Sequence, residues 1–186
     1  MERLRKIKLL AMDVDGVLTD GSMIYLEGSN EAKVFNVQDG LGIRLAMMAG
    51  LKVAWITGNV SLAIAQRAQD LGVTDLYQGA RHKPEALSDL SSRYDLTKDE
   101  IAYIGDDLND LPAFAASGVT FAPSNAAIDV KEAADVITQQ PGGSGAVREV
   151  IEMILQNQGV WKTAVAAILQ EFEREQAAQK LDKTAG

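Results

Sequence analysis

A chain of 186 residues is the size of one domain with a substantial core, at roughly 150 residues per unit. Hydrophobic residues make up 47% and charged residues 24%, the balance of a folded globular protein, which excludes disordered, collagenous and low-complexity classes. A net charge of -8, no cysteine and a single histidine, His82, disfavour nucleic acid and anionic lipid as partners and remove disulfides, thiolate zinc sites, iron–sulfur clusters and a cysteine nucleophile.

Taken in chain order, the basic residues Arg3, Arg5, Lys6 and Lys8 precede a short apolar run, 8–14, that reads as a first strand. Asp13 interrupts that run far short of a signal-peptide core. Two short segments, 22–26 and 32–37, then read as a hairpin joined across 27–30. Asp39 is placed to cap a helix that stops near Gly50. A second strand follows at 52–57, then a helix capped by Ser61 and ending near Gly72, then a strand at 75–78. Pro84 suits the first turn of another helix, and Thr97 with Glu100 has capping-box spacing before a strand at 101–105.

Further strands are predicted at 118–122 and 135–138. The longest uncharged stretch, 111–128, is broken by Pro112, Gly118 and Pro123 and cannot form a clean spanning helix. Val147, Val150, Ile151, Ile154 and Leu155 make one helical stripe, and Trp161, Val165, Ile168, Leu169 and Phe172 another. The polar segment 173–186 reads as a fraying tail on a single domain, 1–172. Strands alternating with helices predict an α/β fold: a doubly wound, Rossmann-like, mostly parallel sheet with a β-hairpin inserted after its first strand, at about 20–37. The expectation is a cytoplasmic protein with no membrane segment.

In such a sheet the carboxyl ends of the strands face the ligand crevice. The first strand ends in Asp13-Val14-Asp15-Gly16, and the strand at 101–105 leads into Asp106-Asp107-Leu108-Asn109-Asp110. Two unit charges about 4 Å apart repel by roughly 4 kcal/mol at an effective dielectric near 20, so converging carboxylates demand a cation or a shared proton. A hard divalent ion such as magnesium, held by one or two carboxylates, waters and a substrate phosphate, meets that demand. Thr57-Gly58-Asn59 supplies a hydroxyl and amides at the end of the second main strand. Lys83 stands at the start of a helix whose positive end adds to its charge. Each loop alone is an ordinary turn; together, in this order on one sheet edge, they point to phosphate-ester chemistry.

This ordered set, Asp-x-Asp-Gly, Thr-Gly, Lys and Gly-Asp-Asp-x-x-Asp, resembles the haloacid dehalogenase superfamily of aspartate-nucleophile phosphatases. Asp15 to Gly21, Phe35-Asn36-Val37, Asp39-Gly40, Tyr77-Gln78-Gly79 and the run from Gly142 to Glu149 further resemble its branch without a large cap. That branch acts on phosphorylated 3-deoxy-2-keto sugar acids, octulosonate 8-phosphate above all. The resemblance covers about residues 7–155. It implies magnesium dependence, a homotetramer in which hairpins meet, and a role in lipopolysaccharide biosynthesis. It implies Asp13 as the nucleophile and Asp15 as the acid and base. Asp13, Asp106 and the main-chain carbonyl of Asp15 would bind metal, supported by Asp107 and Asp110. Thr57, Gly58 and Lys83 would hold the phosphoryl group, and Asn36, Val37, Gln38, Asp39, Gly40, Arg44, Asn59 and Arg67 would contact substrate.

Gln38 and Asn59 depart from that branch, which usually carries arginine at both positions. A nonulosonate 9-phosphate phosphatase is the neighbouring alternative, with an acidic residue at the place of Asn59. A catalytically silent oligomerisation module is the other, against which the complete acidic set argues. A signalling receiver domain draws its acidic pair and phospho-acceptor from different strands, unlike Asp13 and Asp15. Arg148 and His82 read as a helix-surface charge and a loop residue.

Overall fold

Successive residues of the first strand point into two different cores. Leu10 and Met12 pack with one set of helices, Leu9 and Ala11 with another, as the two-residue period of a strand buried on both faces requires. The structure, a computed structural model, describes residues 2–27 and 31–184. Its main sheet is built from β1 (Leu9–Met12), β4 (Lys52–Ile56), β5 (Asp75–Tyr77), β6 (Ile101–Ile104), β7 (Val119–Ala122) and β8 (Val136–Ile137). The order is β5-β4-β1-β6-β7-β8, with every neighbouring pair parallel. β2 (Ile24–Tyr25) and β3 (Glu31–Ala32) pair antiparallel as a separate ribbon after β1.

Residues of α1 (Val37–Met48), α2 (Leu62–Leu71), α6 (Ala146–Asn157) and α7 (Trp161–Thr184) join the core of Leu10 and Met12. Those of α3 (Lys83–Tyr94), α4 (Leu111–Ala115) and α5 (Ile128–Ala133) join the core of Leu9 and Ala11. β1 lies centrally because the chain first winds outward through β4 and β5, then crosses to β6, β7 and β8. The carboxyl end of β1 is therefore the point where the winding reverses, where such sheets open a crevice.

The helix caps follow from side-chain chemistry, with one change from expectation. Ser61 and Pro84 stand at the starts of α2 and α3, Gly72 ends α2 at φ 77°, and Thr97 with Glu100 forms a capping box. The cap of α1 is Asn36 rather than Asp39. The Asn36 Oδ1 accepts from the N–H groups of Gln38 at 2.7 Å and Asp39 at 3.3 Å, which starts the helix at Val37; the second hairpin strand ends at Ala32 instead of Val37. Residues 28–30 of the hairpin turn lie outside the described residues.

All five residues of the first C-terminal stripe are fully buried on α6. The second stripe is narrower than expected: Ala164 and Ile168 are buried, while Leu169 and Phe172 are 55% and 37% exposed. Beyond Phe172, where fraying was expected, α7 continues to Thr184. Glu, Gln, Ala and Lys are strong helix formers, so polarity alone does not end a helix.

Candidate active site

Backbone pairing carries each functional residue to the same edge. The N–H of Asp13 donates to the carbonyl of Ile104 at 3.0 Å and that of Thr57 to Tyr77 at 2.9 Å, so the residues just past β1 and β4 continue the ladder. Asp13, Asp15, Gly21, Thr57, Gly58, Asn59, Asp106, Asp107 and Asn109 line one cleft of about 280 Å³. Lys83, the first residue of α3, reaches that edge from beneath. Its Nζ lies 2.6 Å from Asp13 Oδ2 and 2.6 Å from Asp110 Oδ1, with the side chain 1% exposed.

Asp110 has no lone pair to spare. Its Oδ1 accepts from Lys83 and from the Tyr103 hydroxyl at 2.7 Å; its Oδ2 accepts from the N–H groups of Asp106 at 2.9 Å and Asp107 at 3.3 Å. Asp107 caps the short turn before Asp110, accepting from Leu108 N–H at 2.8 Å. Asp106 differs, since its Oδ1 is buried with no hydrogen-bond partner among the described residues. Carboxylate oxygens of Asp13, Asp106 and Asp110 lie within 4.8 Å of one another. Burial, then the charge of Asp110, pushes the Asp13 carboxyl up to about 7 against the opposing pull of Lys83. Burial, then Asp13 and Asp110, pushes Asp106 up to about 7. A buried, unpartnered carboxylate oxygen among hard oxygen donors fits a divalent cation held by Asp13 and Asp106, with Asp110 as the group that fixes the loop.

Two glycines make this crowding possible. A Cβ on Gly16 would lie 2.0 Å from Asp106 Oδ2, and one on Gly105 would lie 2.3 Å from the Asp110 carboxyl carbon. The loop at Gly142-Gly143 braces the first loop from behind: Gly143 N–H donates to the Val17 carbonyl at 2.9 Å, and a Cβ on Gly142 would meet the Gly16 carbonyl at 1.8 Å.

Asp15 stands at the rim, half-buried. Its Oδ1 accepts from Lys33 Nζ at 2.6 Å and its Oδ2 from Asn59 Nδ2 at 2.8 Å. Lys33 and Tyr103 are absent from the reading of the sequence. A lysine in a hairpin looks like a solvated charge and a tyrosine in a strand like core; only their three-dimensional partners distinguish them.

Of the expected substrate contacts, Asp15, Gly58 and Asn59 line the cleft, whereas the α1 residues are distributed differently. Val37 and Gln38 are exposed and Asn36 is engaged as a cap. Asp39, 1% exposed, turns its carboxylate to the start of α6, accepting from Gly145 N–H at 3.2 Å and Arg148 N–H at 2.7 Å. Burial raises its carboxyl above the usual range although those donors oppose the shift. Arg44 faces α7, 3.1 Å from Glu171 and over the Phe172 ring. Arg67 lies over the ring of Phe35 at 6.0 Å and close to Gly40, where a Cβ would come within 2.4 Å of its guanidinium. Among the described residues no carboxylate pairs with it. Arg148 pairs with Glu152 and covers the Trp161 ring, and exposed His82 lies near Glu85.

A sheet of this winding, with paired aspartates after its first strand and the threonine, lysine and second acidic loop around them, defines a class of hydrolase. The family model of haloacid dehalogenase-like hydrolases matches residues 54–151, and the chain belongs to that family. It is 45% identical over 158 residues to the 3-deoxy-D-manno-octulosonate 8-phosphate phosphatase of Haemophilus influenzae, covering 85% of this chain and 88% of that one. The crystal structure of the phosphatase of that name from Moraxella catarrhalis, in complex with magnesium, phosphate and KDO, superposes with a TM-score of 0.86 at 40% identity, covering 90% of this chain and 96% of the other. That from Yersinia pestis gives 0.85 at 40% identity, over 87% of each chain.

Proposed function

We propose that this protein is a magnesium-dependent phosphatase of 3-deoxy-D-manno-octulosonate 8-phosphate, working through an aspartyl-phosphate on Asp13. The observation that carries the chemistry is the buried meeting of Asp13 and Asp106, one of them with an unpartnered oxygen, beside the ammonium of Lys83. The relatives' shared activity, and the KDO and phosphate bound by the Moraxella protein, support the substrate.

In the first half-reaction an oxygen of Asp13 bonds to phosphorus as the bond from phosphorus to the sugar oxygen breaks. Asp15 gives its proton to that leaving oxygen. In the second half, Asp15, now a carboxylate, takes a proton from water as the water oxygen bonds to phosphorus, which releases phosphate and restores Asp13. Lys83, the Thr57 hydroxyl and the Gly58 amide hold the phosphoryl oxygens as their charge shifts. Asp13, Asp106 and the main-chain carbonyl of Asp15 would hold the magnesium, backed by Asp107 and Asp110. When bound, the ion supplies neutralising charge between the carboxylates and the phosphoryl group.

The sugar-acid carboxylate needs a cationic partner, and Arg67, with Gly40 and Phe35 beneath it, suits that role better than Arg44, which α7 engages. Exposed Met23, Ile24, Tyr25, Leu26 and Val34 on the hairpin support a homotetramer buried through that ribbon, and a cysteine-free chain suits the cytoplasm. A phosphate-release screen over octulosonate 8-phosphate, nonulosonate 9-phosphate, hexose phosphates and an aryl phosphate tests the reading. The octulosonate ester should be turned over fastest, only with magnesium, and Asp13→Asn should abolish turnover while leaving the circular dichroism spectrum unchanged. Retained turnover by Asp13→Asn overturns the mechanism; preference for another ester overturns the substrate.

A further inference from the structure

Asp15 is asked to do two opposite things in one turnover, donating a proton and then accepting one, with its carboxyl at the cleft rim, where water competes for it. Such a group performs only if its oxygens are held in place between the two steps. The structure holds both. Oδ2 accepts from Asn59 Nδ2 at 2.8 Å, and Oδ1 accepts from Lys33 Nζ at 2.6 Å.

Lys33 is unusual for a lysine in a surface hairpin. Its side chain is 1% exposed, and its ammonium reaches Glu31 Oε2 at 3.4 Å as well as Asp15. Among the described residues the other oxygen of Glu31 is buried and has no partner. A desolvated ammonium is costly unless paired, so the base of the hairpin is built around this bridge. The carboxylate it holds, Asp15, is a cleft group that makes no contact with Lys83, whose ammonium is taken by Asp13 and Asp110. A structural pin for the hairpin would be satisfied by Glu31 alone at optimal distance; instead the shorter contact is to Asp15.

We propose that Lys33 is a positioning residue for Asp15, which together with Asn59 clamps both carboxylate oxygens so that proton transfer to the leaving group stays aligned. The inference rests on the phosphatase reading above, in which Asp15 is the acid. It assigns to the hairpin a part in the chemistry of its own subunit.

Leaving-group dependence separates this role from a structural one. Phenyl phosphate and p-nitrophenyl phosphate have nearly the same shape, but phenolate needs protonation far more than nitrophenolate. Both report phosphoenzyme formation through kcat/KM. With Lys33→Met the phenyl-to-nitrophenyl ratio of kcat/KM should fall about 10-fold or more, since general-acid assistance contributes roughly 10²- to 10⁴-fold and misalignment forfeits part of it. Asn59→Ala, at an exposed rim position, should move the ratio in the same direction by a smaller factor. It keeps the test in force if Lys33→Met does not fold. Lys33→Arg should restore at least part of the ratio. An equal loss on both esters, or an unchanged ratio in Asn59→Ala when Lys33→Met is unfolded, overturns the proposal. Wild-type turnover of both esters that Asp13→Asn abolishes tests the phosphatase reading separately, so the two failures are told apart.

Discussion

The Asp106 carboxylate occupies the volume where a side chain on Gly16 would begin. Gly16 has φ +88°, and its Cβ would lie 2.0 Å from Asp106 Oδ2. The glycine of the first motif is thus a spatial requirement of the second, although the two lie far apart in the chain. Gly16→Ala should cost about 1–2 kcal/mol of left-handed backbone strain, a cost circular dichroism and melting can read, and should displace Asp106. Magnesium affinity measured by titration calorimetry should fall at least 10-fold, with turnover falling alongside. Wild-type affinity in Gly16→Ala would show that Asp106 is not held there.

Raised carboxyls make metal-free stability depend on pH in a defined direction. Asp13 and Asp106 both titrate near 7 in the folded chain, above an unfolded value of about 3.9. Between those values the folded state binds more protons than the unfolded one. The stability these groups contribute is therefore complete below about pH 4 and lost as pH rises through about 7. In chelator, Tm should fall from about pH 5 to about pH 8. Saturating magnesium, competing with protons for the same oxygens, should remove most of that slope. A chelated Tm that rises over this range contradicts the assignment.

Asp39 should act on stability more than on substrate. Its carboxylate is the acceptor for two N–H groups at the start of α6, and removing it leaves buried donors unmade. Asp39→Ala should lower unfolding free energy by about 1–3 kcal/mol in urea melts. A large rise in KM at unchanged stability would instead place Asp39 on the substrate.

Arg67 and Arg44 should separate in a substrate comparison. Loss of one charge-assisted contact costs roughly 1.5–3 kcal/mol, or about 10- to 150-fold in kcat/KM. Arg67→Ala should incur that loss on a keto-sugar-acid phosphate and little on an aryl phosphate. Arg44→Ala should show less discrimination, because Glu171 and Phe172 already engage that side chain. Equal losses on both esters for Arg67→Ala would remove its role in recognising the sugar acid.

What was legible in the sequence follows from how local each signal is. Strand runs and the acidic, threonine and lysine loops are short and contiguous, and the parallel-sheet rule alone carries them to one edge, so Asp13, Thr57, Lys83 and Asp106 are found together as expected. The cap of α1 is ambiguous in the sequence because Asn36 and Asp39 are both good capping residues, and only the distant N–H groups of α6 draw Asp39 away from that task. Arg44, expected near substrate, is engaged by α7, and Lys33, which no motif singles out, reaches Asp15, through contacts that no periodicity encodes. The extent of α7 is not legible from polarity, because Glu, Gln, Ala and Lys are strong helix formers as well as solvent-facing residues.

The central place of β1 has a bearing on how the protein is made. Leu9 pairs with Lys52 on one side and Ile101 on the other, so the cation pocket closes only after the chain has wound out to β5 and crossed back to β6. A site assembled from such distant segments cannot template early collapse. Magnesium should therefore slow opening of the finished protein rather than hasten its formation, which unfolding and refolding rates with and without the ion would read. On that expectation, the same cation that equips the enzyme for chemistry is a late lock on its fold.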